Sequence, residues 1–590
     1  MQYRDCWYVA LAMQPAVNPQ FAIALKQAAA AAASGQFAVA EQHYRHAQAL
    51  APHEPAPALS LGFLLRHLQR PAEARAQFGA VLQRHPALAE AHYGLGLASQ
   101  DMMDMATAET AFRNALTLKP ALLPATLGLA AICNLGGHPD EALDLLARAS
   151  APDARLGAAI EQQRGQARLA KDEHRQALAH FDAALALAPG DPDAAHSRAV
   201  ALKSLGRDEE ALEVLRRMVR ENPADLRAHD TLNQILYRLK RDDEFLRSYD
   251  EASGAFPATP HFLLAKAAFL VRGERHDEAL ELYERALKLT PGEPMVLQGR
   301  AMAQLKLERI DDAIASYEEG LARAPDDLNM LTGVAAAYLT ARAPARAEAA
   351  ALRALNLAPA NQGALGILGT AWRLMKDERE FDLNRYEDFI QPIDLEPPPG
   401  FADMAEFCAE LDSWLDSQHD DQREHIDQSL RGGTQTMGDL LKPGRHPLLD
   451  GLRLRIEEGV RSYILRLPRD EKHPFLRWRA KDFRFSGSWS SRLKDRGYHA
   501  NHLHPAGWIS SAFYIALPDT VRDHETRQGW IKFGEPSFAV DLSDPVRRAV
   551  QPRVGRLVLF PSYMWHGTIP FQAAQNRTTI AFDAIPVDQA

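Results

Sequence analysis

The 590-residue chain is 46% apolar and 24% charged, an ordinary globular mixture several domains long, which excludes a disordered or fibrous protein. Its formal charge of -10, from 67 basic and 77 acidic residues with no long Lys/Arg block, argues against a nucleic-acid partner. No apolar run reaches the roughly 18 to 20 residues of a membrane-spanning helix, and Cys6, Cys133 and Cys408 are too scattered for a disulfide framework or zinc ribbon, so a reducing, cytoplasmic setting without a membrane partner is expected.

Residues 1–18 read as an irregular tail. The apolar stretch WYVALAM follows Arg4 and Asp5 and is shorter than most signal-peptide cores, a cleaved signal being the alternative. Beyond it prolines act as a ruler. Pro52, Pro86 and Pro120, then Pro189, Pro223, Pro257, Pro291, Pro325 and Pro359, step by 34 residues within each group, and the gap between the groups is two periods plus one residue. Twelve residues before most of them stands an alanine: Ala40, Ala74, Ala108, Ala177, Ala211, Ala279, Ala313 and Ala347. Eight before stands a ring in most repeats, as at Tyr44, Phe78, Phe112, Phe181, Tyr249, Tyr283 and Tyr317. An alanine lets two helices approach, a ring four residues later on the same face fills the groove, and the proline ends the second helix.

This pattern resembles the tetratricopeptide repeat, a helix-turn-helix unit, over 19–384, with about ten repeats of 34 residues. Leu61-Gly62 and Leu95-Gly96 match its first-helix pair, whereas Ala130 and Ala301 replace the glycine. The fourth repeat departs most: in EALDLLARASAPDA the ring position holds Leu146 and Pro152 comes two residues early, so a local irregularity is expected. The long concave surface of such an array suits a protein or peptide, self-assembly being the alternative.

The run Pro397-Pro398-Pro399-Gly400 cannot continue a helix, and 385–402 reads as a Pro-rich linker. A second domain, 403–590, with its own separate core is expected. It opens with the helical patterns MAEFCAELDSWLDSQ and PLLDGLRLRIEEGVRSYILRL. From about residue 480 the period changes to 2, with short strands in DFRFSGSWSSRL, SSAFYIALP, GWIKFGE, GRLVLFPSY and RTTIAFDAIP, which indicates a sandwich or barrel.

Histidines crowd into HANHLHPAGW, 499–508. In extended chain, residues i and i+2 face one side, so His502 and His504 can aim at one ion, and His566 in LVLFPSYMWHGTIPF is the distant third candidate. GYHANHLHPAGWISSAFYIALP, GRLVLFPSYMWHGTIPF and NRTTIAFDAIP together resemble the 2-oxoglutarate- and Fe(II)-dependent oxygenases with a double-stranded β-helix core, over roughly 400–590. The nearest likeness is to the oxygenases attached to tetratricopeptide repeats, which share features such as DQSLRGGTQT. The fold implied is multidomain: an all-α tetratricopeptide solenoid followed by a double-stranded β-helix (jelly-roll) domain with flanking helices.

The resemblance implies Fe(II) held by His502, His504 and His566, 2-oxoglutarate as cosubstrate, O2 as a partner, and hydroxylation of a protein or peptide brought by the repeats. It implies that Arg577 pairs with the far carboxylate of 2-oxoglutarate and that Tyr514 adds a hydrogen bond. His504 stands where the wider superfamily has a carboxylate, so the set would be three neutral imidazoles with one less compensating charge. Alternatives remain open. His499 could be a ligand with Asn501 on the same side, or His499 and Asn501 could lie behind the ligands. His502 and His566 could act without a third protein ligand, as in enzymes resembling the aspartyl and asparaginyl β-hydroxylases. Tyr514 and Trp565 could be core rings, His524 solvated, Arg577 half of a strand-end ion pair, and Asp583 either structural or catalytic. From another class comes a repeat scaffold whose barrel binds without catalysis.

Overall fold

A computed structural model describes residues 19–419, 429–436 and 438–587. The tail expected over 1–18, with Cys6, lies outside the described residues, as does the start of DQSLRGGTQT. The chain divides into two compact units, Met1–Val214 and Leu215–Ala590, the division falling within the helix Asp208–Glu221.

In the first unit helices run in pairs, such as Pro55–His67 with Pro71–Arg84 and Ala89–Asp101 with Met105–Leu118. The ruler alanines Ala40, Ala74 and Ala108 are wholly buried, as is the ring of Phe78. A Cβ at Gly62 would come within 2.7 Å of that ring and one at Gly94 within 2.3 Å. Carbon atoms do not pack that closely, so both places require glycine. One ring thus clamps its own helix pair and the next, which propagates the period along the stack. At the end of the second helix His85, ahead of Pro86, has already left helical conformation with φ -129°.

The irregularity expected in the fourth repeat is present. Its second helix, Pro139–Ala147, has 9 residues against 14 in Met105–Leu118, Leu146 is buried where a ring would sit, and the following helix Ala154–Ala170 lengthens to 17. A second irregular repeat, not anticipated from the ruler, lies in Leu215–Ala590. Phe245 occupies the close-approach place twelve residues before Pro257, and the helix begins only at Arg247, as Arg247–Ala255. A ring does not fit where two helices must nearly touch, so the helix starts late. Leu246 takes φ +67°, and its N–H donates to Oδ1 of the buried Asn233 at 2.6 Å, whose amide donates to Ser248 Oγ at 2.9 Å. The interrupted backbone is thereby satisfied internally.

The array continues to helix α1 (Gln362–Met375), and α2 (Met404–Asp416) and α3 (Pro447–Arg466) match the two helical patterns that follow. Asp403 caps α2 by accepting from Glu406 N–H at 2.8 Å. The remainder is strand-rich: β1 (Gln391–Asp394), β2 (Leu430–Gln435), β3 (Asp482–His499), β4 (Ile509–Ala516), β5 (Ile531–Phe533), β6 (Arg548–Val550), β7 (Arg556–Pro561), β8 (His566–Thr568) and β9 (Arg577–Val587). They form two antiparallel sheets, ordered β1-β7-β4-β9-β3-β2 and β6-β5-β8. The segment 385–402, expected to be a linker, supplies β1, which pairs with β7.

Alternation decides the faces of the large sheet. Ile580 and Phe582 of β9, Phe513 of β4, and Leu557 and Leu559 of β7 share an apolar cluster with Phe407 and Leu411 of α2 and Leu452 and Ile456 of α3. The intervening residues, Arg577, Thr579, Ala581 and Asp583 of β9 with Trp489 and Ser491 opposite on β3, line a cavity on the other face. The expectation of separate cores does not hold in Leu215–Ala590: Leu365 of α1 and Leu383 belong to the same buried cluster as the strands. Among the described residues no helix is long and apolar enough to cross a membrane.

Candidate metal centre

The site lies where the chain leaves β3. That strand runs to His499, further than the sequence pattern indicated, and 500–504 is not part of a strand ladder. The backbone there stays pinned all the same. His502 N–H donates to His566 carbonyl at 2.9 Å, His566 N–H returns a bond to His502 carbonyl at 3.0 Å, and His504 N–H donates to Ser562 carbonyl at 3.0 Å. The same-side argument for His502 and His504 therefore survives through these bonds rather than through strand pairing.

Ring nitrogens of His502, His504 and His566 all lie within 4.8 Å of one another, a group that could hold a metal ion. Each ring is held by its other nitrogen. Nδ1–H of His502 donates to Ala500 carbonyl at 2.8 Å, Nδ1–H of His566 to Met564 carbonyl at 2.9 Å, and Nδ1–H of His504 to the Asp583 carboxylate at 2.7 and 2.8 Å. Because these partners only accept, the protons belong on Nδ1 and the lone pairs on Nε2. Nε2 of His502 and Nε2 of His504 stand 3.2 Å apart, a contact satisfied either by a proton on one of them or by a cation between them. The spacing is close to the roughly 3 Å that two imidazole nitrogens about 2.1 Å from one ion would take. The donor set fits a metal.

Electrostatics agree with neutral rings. Burial, reinforced by the neighbouring His504, pushes the His502 pKa down to about 4, and burial holds His566 and His499 well below the usual imidazole range. Deprotonated imidazole is the metal-binding form. Without metal, these rings bind fewer protons folded than unfolded, so stability is fully present above about pH 6.5 and is lost as pH falls toward 4. His502 alone should make the metal-free protein about 2 kcal/mol less stable at about pH 5 than at about pH 7.5, read by denaturant unfolding. Equal stability at the two values would contradict neutral rings.

Asp583, left undecided by the sequence, faces the cavity and receives a second bond from Ser510 Oγ at 2.7 Å. It lies six residues after Arg577 on β9, and that even spacing, which puts both on one face, was the available signal. A carboxylate behind a ligating histidine orients the ring and raises its basicity. Asp583→Asn, which removes the charge and keeps the shape, should weaken Co(II) binding about 10-fold. Unchanged affinity would leave Asp583 a structural acceptor only.

Arg577 is 2% exposed, and its Nε–H donates to Gly529 carbonyl at 3.0 Å. No carboxylate pairs with it among the described residues, so the strand-end ion pair considered above is absent there. Its guanidinium carbon lies 5.1 Å from the centre of the Tyr514 ring, and the Tyr514 hydroxyl is buried without a hydrogen-bond partner. Burial lowers the Arg577 pKa and raises that of Tyr514. A buried cation without a carboxylate among the described residues, beside a hydroxyl whose one close polar neighbour is that cation, leaves room for an anionic, hydrogen-bonding guest to supply further partners.

The cavity joining Arg577 to the imidazoles measures about 250 Å³. His499 lines it, its ring 6.1 Å from that of His502, outside the three-nitrogen group. Asn501 is turned elsewhere and donates to Pro536 carbonyl at 3.3 Å. Two contributors went unnoticed in the sequence: Trp489, stacked on His504 at 5.7 Å, and Ser429, whose Oγ lies 3.4 Å from both His499 Nδ1 and His502 Nε2. Neither residue type signals a metal site by itself.

Fold and site together place the chain among proteins that append a small strand-rich domain with a histidine cluster to a helical repeat array. Residues 487–583 match the family described as "Putative 2OG-Fe(II) oxygenase", and 59–121, 168–235 and 270–337 match tetratricopeptide-repeat families. The chain thus carries tetratricopeptide repeats followed by a C-terminal domain of that oxygenase family. Among solved structures it is similar to yeast Tom70, with 15% identity, 61% of this chain and 89% of that chain covered, and a TM-score of 0.37. It is also similar to a tetratricopeptide repeat protein from Parabacteroides merdae (11%, 49% and 100%, TM-score 0.33) and to YrrB, described as a TPR protein with an unusual peptide-binding site (22%, 31% and 95%, TM-score 0.26). No curated protein matches the chain.

Proposed function

We propose that the chain is a non-haem Fe(II)- and 2-oxoglutarate-dependent dioxygenase that hydroxylates a protein or peptide held by its repeat array. The observation that carries this reading is the convergence of three imidazoles beside a buried guanidinium that has no carboxylate partner among the described residues. His502, His504 and His566 would hold the iron. Arg577 would take the far carboxylate of 2-oxoglutarate through its planar fork, and the Tyr514 hydroxyl would donate to the same group. When bound, iron and 2-oxoglutarate supply the oxidising power for hydroxylation of a C–H bond by O2, with release of succinate and carbon dioxide.

The residues of the chain prepare the place for that chemistry. Asp583 restores, one hydrogen bond away, the charge that a histidine in the carboxylate position removes. With Fe(II), the dianion, Arg577 and Asp583 the buried charges sum to zero, which a low-dielectric cavity favours. Trp489 stacks on His504 and covers that face of its ring. The repeats supply the surface on which a protein substrate is held. A reducing setting is supported by Cys133 and Cys408, both buried and in no disulfide among the described residues.

Anaerobic addition of Fe(II) and 2-oxoglutarate should produce the visible charge-transfer absorption of an iron-bound 2-oxo acid, and admission of oxygen should yield succinate. Iron bound tightly with neither absorption nor succinate would favour a binding scaffold instead.

A further inference from the structure

Helix α1, from the end of the repeat array, touches the strand-rich domain at the segments that carry the three imidazoles. A Cβ at Gly366 would stand 2.9 Å from Leu503 Cδ2, 2.9 Å from the Tyr563 carbonyl oxygen and 3.2 Å from Trp565 Nε1. Leu503 lies between His502 and His504, and Trp565 immediately precedes His566. One bare patch of helix therefore bears on both halves of the histidine group.

Hydrogen bonds fix this contact. Trp565 Nε1–H donates to Gly366 carbonyl at 3.1 Å, and Tyr563 Oη–H to Leu383 carbonyl at 2.6 Å. Arg373 of α1 donates to Gly534 carbonyl at 2.9 Å, and Gly534 N–H in turn donates to Trp565 carbonyl at 2.9 Å. Ile367, Leu368 and Ala371 share a buried cluster against which Trp565 and Phe538 pack.

The ruler marks the exception. Stepping back by 34 residues from Gly366 gives Thr332, Gln298, Leu264, Asp230 and His196, all half-exposed side chains. Only in this last helix is the position reduced to glycine, and here the Tyr563 carbonyl oxygen of the strand-rich domain lies 2.9 Å from where a Cβ would be. Packing within the repeat does not require it, because the glycine of the Leu-Gly pair maps to Gly369 instead.

We infer that Gly366 and Trp565 are positioning residues for the metal centre: the terminal repeat helix sets the distance between segment 502–504 and His566. The array is then part of the metal site's scaffold as well as a surface for partners. Side chains packed at interior density transmit small displacements, so a methyl group at position 366 must move Leu503 or the Tyr563 backbone, and the histidines with them. This inference rests on the metal reading above.

The test uses the full-length chain and Co(II), whose ligand-field spectrum reports the geometry around the ion. Gly366→Ala should weaken Co(II) binding about 10- to 100-fold, the range seen when partners behind metal ligands are lost, and should alter the spectrum at saturating metal. Trp565→Phe keeps a ring in place but removes the bond to Gly366 and part of the indole's packing; it should change the spectrum in the same sense with a smaller loss of affinity. Gly79→Ala, at a position with no atom within 4 Å of a new Cβ, serves as the control and should leave both unchanged. Should Gly366→Ala fail to fold, Trp565→Phe decides. Wild-type affinity and spectrum in the folded variants would overturn the inference while leaving the metal reading intact. Absence of Co(II) binding by the wild-type chain would overturn both.

Discussion

His566→Ala is expected to reduce divalent-metal affinity by well over 100-fold, more than the roughly 10- to 100-fold that loss of a partner behind a ligand costs. His566 contributes one of three converging nitrogens, and its Nδ1–H is already committed to Met564 carbonyl. Two imidazoles from a single short segment would be left to hold the ion. The backbone bonds between His502 and His566 do not involve the side chain, so the crossing that brings the segments together should persist. Removing a buried ring 4.6 Å from that of Phe560 should cost the strand-rich part about 2 to 4 kcal/mol. The first repeats have buried clusters of their own, such as that around Tyr44, Leu61 and Phe78, so most helical signal should remain. Metal titration alongside far-ultraviolet circular dichroism reads both. Wild-type metal affinity in a folded His566→Ala protein would end the assignment of this residue.

The second large effect has opposite signs for binding and for stability. Arg577→Met should raise the dissociation constant for 2-oxoglutarate about 10²- to 10³-fold, since a desolvated, charge-assisted fork is worth roughly 2 to 5 kcal/mol. The same change should stabilise the empty protein by about 1 to 3 kcal/mol. It removes a buried charge that has no carboxylate among the described residues, and forfeits the bond to Gly529 carbonyl and the contact with Tyr514. Adding cosubstrate should then raise the unfolding midpoint of the wild-type chain and leave the variant where it was. Arg577→Lys separates the causes: it keeps charge but not the fork, so it should lose most affinity without gaining stability. Unfolding curves with and without Fe(II) and 2-oxoglutarate test all three. A variant that binds cosubstrate normally would show that Arg577 faces some other anion.

The repeat array was legible because its packing is local. Phe78 meets Gly62 and Gly94 at fixed offsets, so the interaction recurs in the sequence with the period of the structure. The same reasoning locates the irregularity near Leu146, and it should have located the one at Phe245, where a ring replaces the alanine. The proline spacing stays at 34 across that repeat and so carries no sign of it.

The strand-rich domain was legible in part. Period-2 alternation placed β4, β7 and β9, and the H-x-H spacing singled out two of the three imidazoles the structure brings together. The anchors were not readable, because Ala500 and Met564 act through their carbonyls and any residue type could do so. Asn501, considered beside the histidines, turns to Pro536, and nothing in its neighbours' identities foretells that direction.

Composition, the 34-residue ruler and short motifs thus determined by themselves the repeat array, the change to a strand-rich end, and the residue types capable of metal chemistry. Each of these depends on neighbours close in sequence, where spacing and side-chain type carry the physics. Only the tertiary structure decided that Asp583 stands behind His504, that Arg577 has no carboxylate of its own among the described residues, and that Gly366 bears on the histidine segments. Those arrangements depend on which distant strands and helices meet, and the free energy of such meetings is spread over many contacts that no single stretch of chain contains.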